Sequence, residues 1–292
     1  MGRAAQNVDA MLPTFRKSVE DFLSNGRFEE SNLIVDGPGI GCTTHIALMS
    51  LLGFERICNL KEAHFFSSSG YAPLFMYANQ IGEMTWPVHQ LNGWNRGNQK
   101  RHQIIPILTS VKFLYRFLVT QRPLFSNILL ADALGATVSE NFLNRTVKDL
   151  PHNFHFWTYN EDEKKFCDIH AHSAFSHWTT GEVMRSLVAV PRLYEPFVKD
   201  NKTYSDALLG LNIRSLFQDL RKRSSNTLFW HMRNSGSKDG TIFVKGHQSS
   251  NGKLRILQDF AFFILGISNP EFDRSMELAF SEIQPLIEST NY

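Results

Sequence analysis

Glu62-Ala63-His64-Phe65-Phe66-Ser67-Ser68-Ser69-Gly70 carries an apolar run into a cluster of small residues, and a helical pattern continues from Ser69 to Ile81. The same succession occurs upstream. Asn32 to Val35 reads as a short buried strand that flows into the turn Asp36-Gly37-Pro38-Gly39-Ile40-Gly41. Apolar residues at Ile46, Leu48, Met49, Leu51 and Leu52 then give a helix over 43–52, closed by Gly53. Strand, tight turn and helix in tandem predict a parallel sheet with crossover helices, an α/β protein.

Val8 to Leu23, within an N-terminal segment 1–30, has a helical repeat that Asn25-Gly26 ends. The stretch 83–103 is rich in Trp, Asn, Gly and His and reads as a loop or cap, whereas 104–119 looks helical. Asn153 to Tyr159 alternates, Lys165 to His170 does so more weakly, and Asn160-Glu161-Asp162-Glu163 between them is a turn, so a hairpin is expected. The glycine-rich, polar stretch 235–253 reads as a second surface loop or flap, and 272–287 as a closing amphipathic helix. At 292 residues the chain fits one α/β domain, 1–292, better than two small ones.

Charge and cysteines exclude several classes of function. A formal net charge of +2 predicts no electrostatic binding to nucleic acid or an anionic membrane. Arg221-Lys222-Arg223, with Arg214 and Asp219 nearby, reads as a solvated helix face. Cys42, Cys58 and Cys167 are too few and too scattered for a disulfide framework or a zinc pattern. The longest apolar run, Phe260 to Ile267, is too short to cross a bilayer, and the first residues lack a signal-peptide layout, so a cytoplasmic protein is expected.

The chemistry-bearing residues gather at the turns. A serine hydroxyl is a weak nucleophile until a base takes its proton and donors hold the oxyanion that forms. A strand-to-helix turn exposes such a serine and aims free N–H groups at developing charge. Ser68, central in the serine run, is the candidate nucleophile, although serine is equally at home as a helix cap. Gly37, Gly39 and Gly41 allow close backbone approach to an anion. The turn lacks the glycine spacing of a dinucleotide loop and the Lys-Ser/Thr ending of a triphosphate loop, and a tight βα turn without ligand is the plain alternative. Asp206, in Tyr204-Ser205-Asp206-Ala207, is the candidate base.

These blocks resemble the patatin-like phospholipases. Gly37 to Ile46 is similar to that family's glycine-rich oxyanion loop and following helix, and Phe66 to Gly70 to its G-x-S-x-G elbow. Arg185 to Pro191, followed by Tyr194-Glu195-Pro196, resembles its R-A-S-S-A-x-P…F-x-P segment, and Asp206-Ala207-Leu208 with Asn212 its D-G-[GA]…N element. The blocks agree in order and spacing across 32–214. The resemblance implies a three-layer α/β/α fold with a mainly parallel central sheet. It also implies a Ser68–Asp206 dyad, an oxyanion hole at Gly37, Gly39 and Ile40, and acyl transfer from an ester or thioester substrate, whether lipid, CoA- or carrier-bound.

Departures from the family pattern carry their own reading. Pro38 has no N–H to donate, Gly41 and Cys42 replace a basic residue and a glycine, Phe66 takes the elbow's first glycine position, and Ala207 follows the aspartate. The loss of one oxyanion donor costs roughly 2.7–4 kcal/mol. The alternative is therefore a non-catalytic module binding an acyl ligand or a protein partner. Asp168, His170 and His172, with His152, His155 and His177, admit a metal reading through the alternation of the hairpin. Hairpin histidines more often lie at the surface or pair with neighbours, so no metal and no cofactor is expected. Trp86, Trp94 and Trp178 are open to either an acyl groove or plain packing.

Overall fold

Apolar runs that alternate weakly or not at all become strands covered on both faces, which is how parallel sheets are buried. The computed structural model describes residues 22, 27–37, 49, 52–85, 138–191, 194–231 and 241–243. In chain order the elements are β1 (Ser31–Val35), α1 (Phe54–Cys58), β2 (Glu62–Phe66), α2 (Tyr71–Gln80), α3 (Glu140–Asn144), β3 (Phe154–Asn160) and β4 (Lys165–Ile169). They continue with α4 (Thr180–Leu187), β5 (Phe197–Lys199), β6 (Lys202–Asp206), α5 (Ile213–Lys222), β7 (Asn226–His231) and β8 (Thr241–Phe243).

The described strands form one eight-stranded sheet. Its centre is parallel: β3 pairs with β2, β2 with β1, β1 with β7, and β7 with β8. The antiparallel pairs all lie on the β3 side, where β4 and β6 both pair with β3 and β5 pairs with β6. The protein is thus α/β with a mostly parallel sheet, and β3 and β4 form the expected hairpin. Within 235–253, Thr241–Phe243 is a strand beside β7, where Thr-Ile-Phe has the β-branched and aromatic character that suits a pleated surface. The segments 1–21, 86–103, 104–119 and 272–287, and most of 43–52, lie outside the described residues.

Side chains alternate across the sheet and build two cores. On one face Leu33, Val35, Ala63, Phe65, Phe154 and Phe156 pack under α1 to α4, through Ile57, Leu74, Phe142, Val183 and Leu187. Ile34, Phe66, Trp157 and Phe229 face the other way and meet α5. That helix buries Leu220 and half-buries Ile213, Leu216 and Phe217, an i, i+3, i+4, i+7 stripe. Its outer side exposes Arg214, Asp219 and Lys222, with a Lys222–Asp219 pair at 3.2 Å, as a solvated helix face should. Among the described residues no helix is long and apolar enough to cross a membrane.

Candidate active site

The elbow is the junction of β2 and α2. β2 ends at Phe66, a 3₁₀ turn runs from Ser67 to Gly70, and α2 starts at Tyr71. Ser67 has φ +56°, in the left-handed region that costs a side-chain-bearing residue of order 1–3 kcal/mol. Something must hold that conformation, and Ser69 does so. Its hydroxyl accepts from Phe66 N–H at 3.0 Å and lies 2.9 Å from the Val35 carbonyl and 2.8 Å from that of Phe66. The elbow is thereby latched to the end of β1.

Gly37 completes this packing. A Cβ there would stand 2.5 Å from both the Phe66 carbonyl oxygen and Ser69 N, and 2.9 Å from Ser68 N. Only glycine allows the turn after β1 to lie so close to the elbow's backbone.

Asp206 arrives from the opposite direction. On β3, Phe66 pairs with Trp157 and Asp206 with the next residue, Thr158. β4 occupies the other edge of β3 from Phe156 to Asn160. β2 and the antiparallel β6 therefore share one edge and meet end to end, bringing the first residue beyond β2 against the last residue of β6. Asp206 is held there through both its carboxylate and its backbone. Oδ1 accepts from Leu208 N–H at 2.9 Å, Oδ2 accepts from the Ser67 hydroxyl, and the Asp206 N–H donates to the Ala189 carbonyl at 3.1 Å. Ala189 lies just past α4, so the segment 185–191 serves to seat the aspartate.

The serine bonded to Asp206 is thus Ser67, one residue before the sequence candidate. Ser68 lies in the same turn and is 5% exposed. Gly37 and Asp206 lie at the elbow, whereas Gly39 and Ile40 lie outside the described residues. The signal for Ser67 was the strand end. The residue directly after β2 takes the sharp turn, but three adjacent serines and the absence of a glycine at either Phe65 or Phe66 leave the motif frame ambiguous. Ser67 and Asp206 are each 3% exposed. A cavity of about 360 Å³ lies elsewhere, bordered by Phe166, Cys167, Phe175, Trp178, Lys202 and Tyr204. Trp178 itself is a core residue stacked edge-on against Phe175, Phe197 and Tyr204.

A second polar group occupies the α5 face at the middle of β2 and the first half of β3. His64 pairs in register with His155 on the next strand, and their rings lie 4.8 Å apart. His64 is saturated: Nε2 meets Glu62 Oε2 at 3.0 Å, and Nδ1 accepts from Trp157 Nε1 at 3.2 Å. Burial above all pushes His64 below its ordinary pKa, and its hydrogen bond holds Glu62 down to about 2. His155 Nδ1 stands 3.0 Å from both carboxylate oxygens of Asp168.

Compared with models of known protein families and with curated proteins, the chain matches none of them.

Proposed function

We propose that the chain is a patatin-like serine acyl hydrolase or acyltransferase, of three-layer α/β/α type, with Ser67 as nucleophile and Asp206 as base. The observation that carries this reading is the hydrogen bond from Ser67 to a carboxylate 3% exposed, made by a serine in a strained strand-to-helix turn. Five described non-glycine residues have positive φ, and Ser67 is the one among them that is buried and bonded to a buried carboxylate, a place where retained strain supports a functional reading. Asp206 takes the Ser67 proton, and Oγ attacks the carbonyl of an ester or thioester. N–H groups of the glycine turn, at Gly37, Gly39 and Ile40, and of the 3₁₀ turn receive the oxyanion. The leaving alcohol or thiol departs with the proton, and water or a second acceptor then releases the acyl group from Ser67.

With Ser67 as the centre, the family's two flanking glycines fall on Phe65 and Ser69. Phe65 points into the main core beside Phe154 and Phe156, away from the elbow, and Ser69 is the latch. Both substitutions are therefore accommodated without occupying the reacting side.

The near-complete burial of the dyad favours a second reading, a module that binds an acyl ligand or partner without turnover. Intact mass after incubation with a fluorophosphonate separates the two. A single adduct is expected on the wild type, absent from Ser67→Ala, retained by Ser68→Ala and formed at least 100-fold more slowly by Asp206→Asn. A folded wild type that takes no adduct leaves the binding module as the surviving reading.

A further inference from the structure

Outside the dyad, the densest cluster of potential metal-binding side chains in the described structure is at the start of β3 and the end of β4. His155, Asp168 and His170 each offer one donor atom, and these lie within 4.8 Å of one another. The sheet produces this grouping. Phe156 pairs with Ile169 and Trp157 with Asp168, so His155 and His170 stand opposite each other one step along, with Asp168 two residues before His170 on the same face. The two imidazoles lie 4.6 Å apart between ring centres, with 36° between their planes.

We propose that His155, Asp168 and His170 form a three-ligand site for a divalent transition-metal ion, with zinc the best match to two imidazoles and a carboxylate. Donors bound to one tetrahedral zinc ion at about 2.0–2.2 Å lie roughly 3.4 Å apart. His155 Nδ1 and the Asp168 oxygens stand 3.0 Å apart, so a small separation of the pair admits the ion. On binding, the ion takes the place of the hydrogen bond between His155 Nδ1 and Asp168, and the displaced proton leaves to solvent. The trio closes by a movement of His170, whose ring lies against that of His155 and whose Nδ1 accepts a long bond, 3.3 Å, from His172 N–H.

The surroundings suit a cation. Among the described residues the ion-pair partner of Asp168 is His155, with no lysine or arginine on its carboxylate. His155 is 8% exposed, whereas Asp168 and His170 are only partly covered, so the site has a rigid inner ligand and an outer side open to entry. The saturated pair His64–Glu62 behind His155 fixes the inner wall. Three protein ligands leave a further coordination position for water, as in zinc sites of two histidines and a carboxylate. The site shares no side chain with the Ser67–Asp206 pair, which meets β3 at Thr158, so it is independent of the acyl-transfer reading.

The test is calorimetric titration of chelator-treated full-length chain with Zn²⁺ alone, repeated with Co²⁺ to read the ligand-field bands in the visible spectrum. One equivalent should bind the wild type. His170→Ala and Asp168→Asn, each folded by circular dichroism, should lose at least tenfold in affinity and change the Co²⁺ spectrum. His152→Ala and His177→Ala should behave as wild type, which controls for the other surface histidines. Absence of stoichiometric binding to the wild type, or affinity and spectrum unchanged in both ligand variants, would overturn the proposal.

Discussion

Ser67 bears two loads, a left-handed backbone and a hydrogen bond to a buried carboxylate. They can be separated by substitution. Ser67→Ala and Ser67→Gly both remove the hydroxyl, but only glycine relieves the backbone, so Ser67→Gly should be the more stable of the two by about 1 kcal/mol in urea unfolding. Equal stability would mean that the turn is not strained in solution. Neither variant should accept a fluorophosphonate. Residue identity alone could not show which serine meets Asp206, because the three differ only in which one follows the last strand residue, and that depends on β2 ending at Phe66.

At the scale of elements, the site exists because β2 and β6 abut along one edge of β3 while the β1 turn presses on the elbow. The two glycine contacts there differ in what opposes them. A Cβ at Gly37 would meet backbone atoms of the elbow, whereas one at Gly70 would meet Leu187 Cδ1 at 2.5 Å, the end of a side chain that can turn aside. Overpacking costs about 1–3 kcal/mol. Thermal unfolding should place Gly37→Ala at or above the top of that range and Gly70→Ala near its bottom, and a reversed order would contradict the packing described. Much of this level was legible beforehand. The apolar runs of β1 and β2 and the turn Asn160 to Glu163 announced their strands, since local pattern sets them. The meeting of β2 with β6 was not legible from period or propensity, because it depends on a register shared through β3. The trio His155, Asp168 and His170 was visible as alternation in a hairpin, but its closure depends on which residues the hairpin register sets opposite one another.

At the scale of the whole molecule, α1 to α4 pack on one face of the sheet and α5 on the other among the described residues, and the thiols there report how closed that packing is. Burial pushes Cys58 and Cys167 up to about 11 from an ordinary 9.0, so little reactive thiolate is present near neutral pH. In a Cys42→Ser background, iodoacetamide at pH 8 should modify the folded chain about 100-fold more slowly than the urea-unfolded chain, by intact mass. Equal rates would show that the cores around α1 and β4 are open. Ser67 and Asp206 lie within the same covered body, so on the proposed reading adduct formation should be slow while remaining confined to one residue.

Fragmentation mapping of the fluorophosphonate adduct tests the central claim most directly. The pairing of Ser67 with Asp206 predicts the phosphonyl group on Ser67 in the wild type, and none on the 61–85 peptide of Ser67→Ala. A phosphonyl group on Ser68, or no modification of that peptide in folded protein, would contradict it.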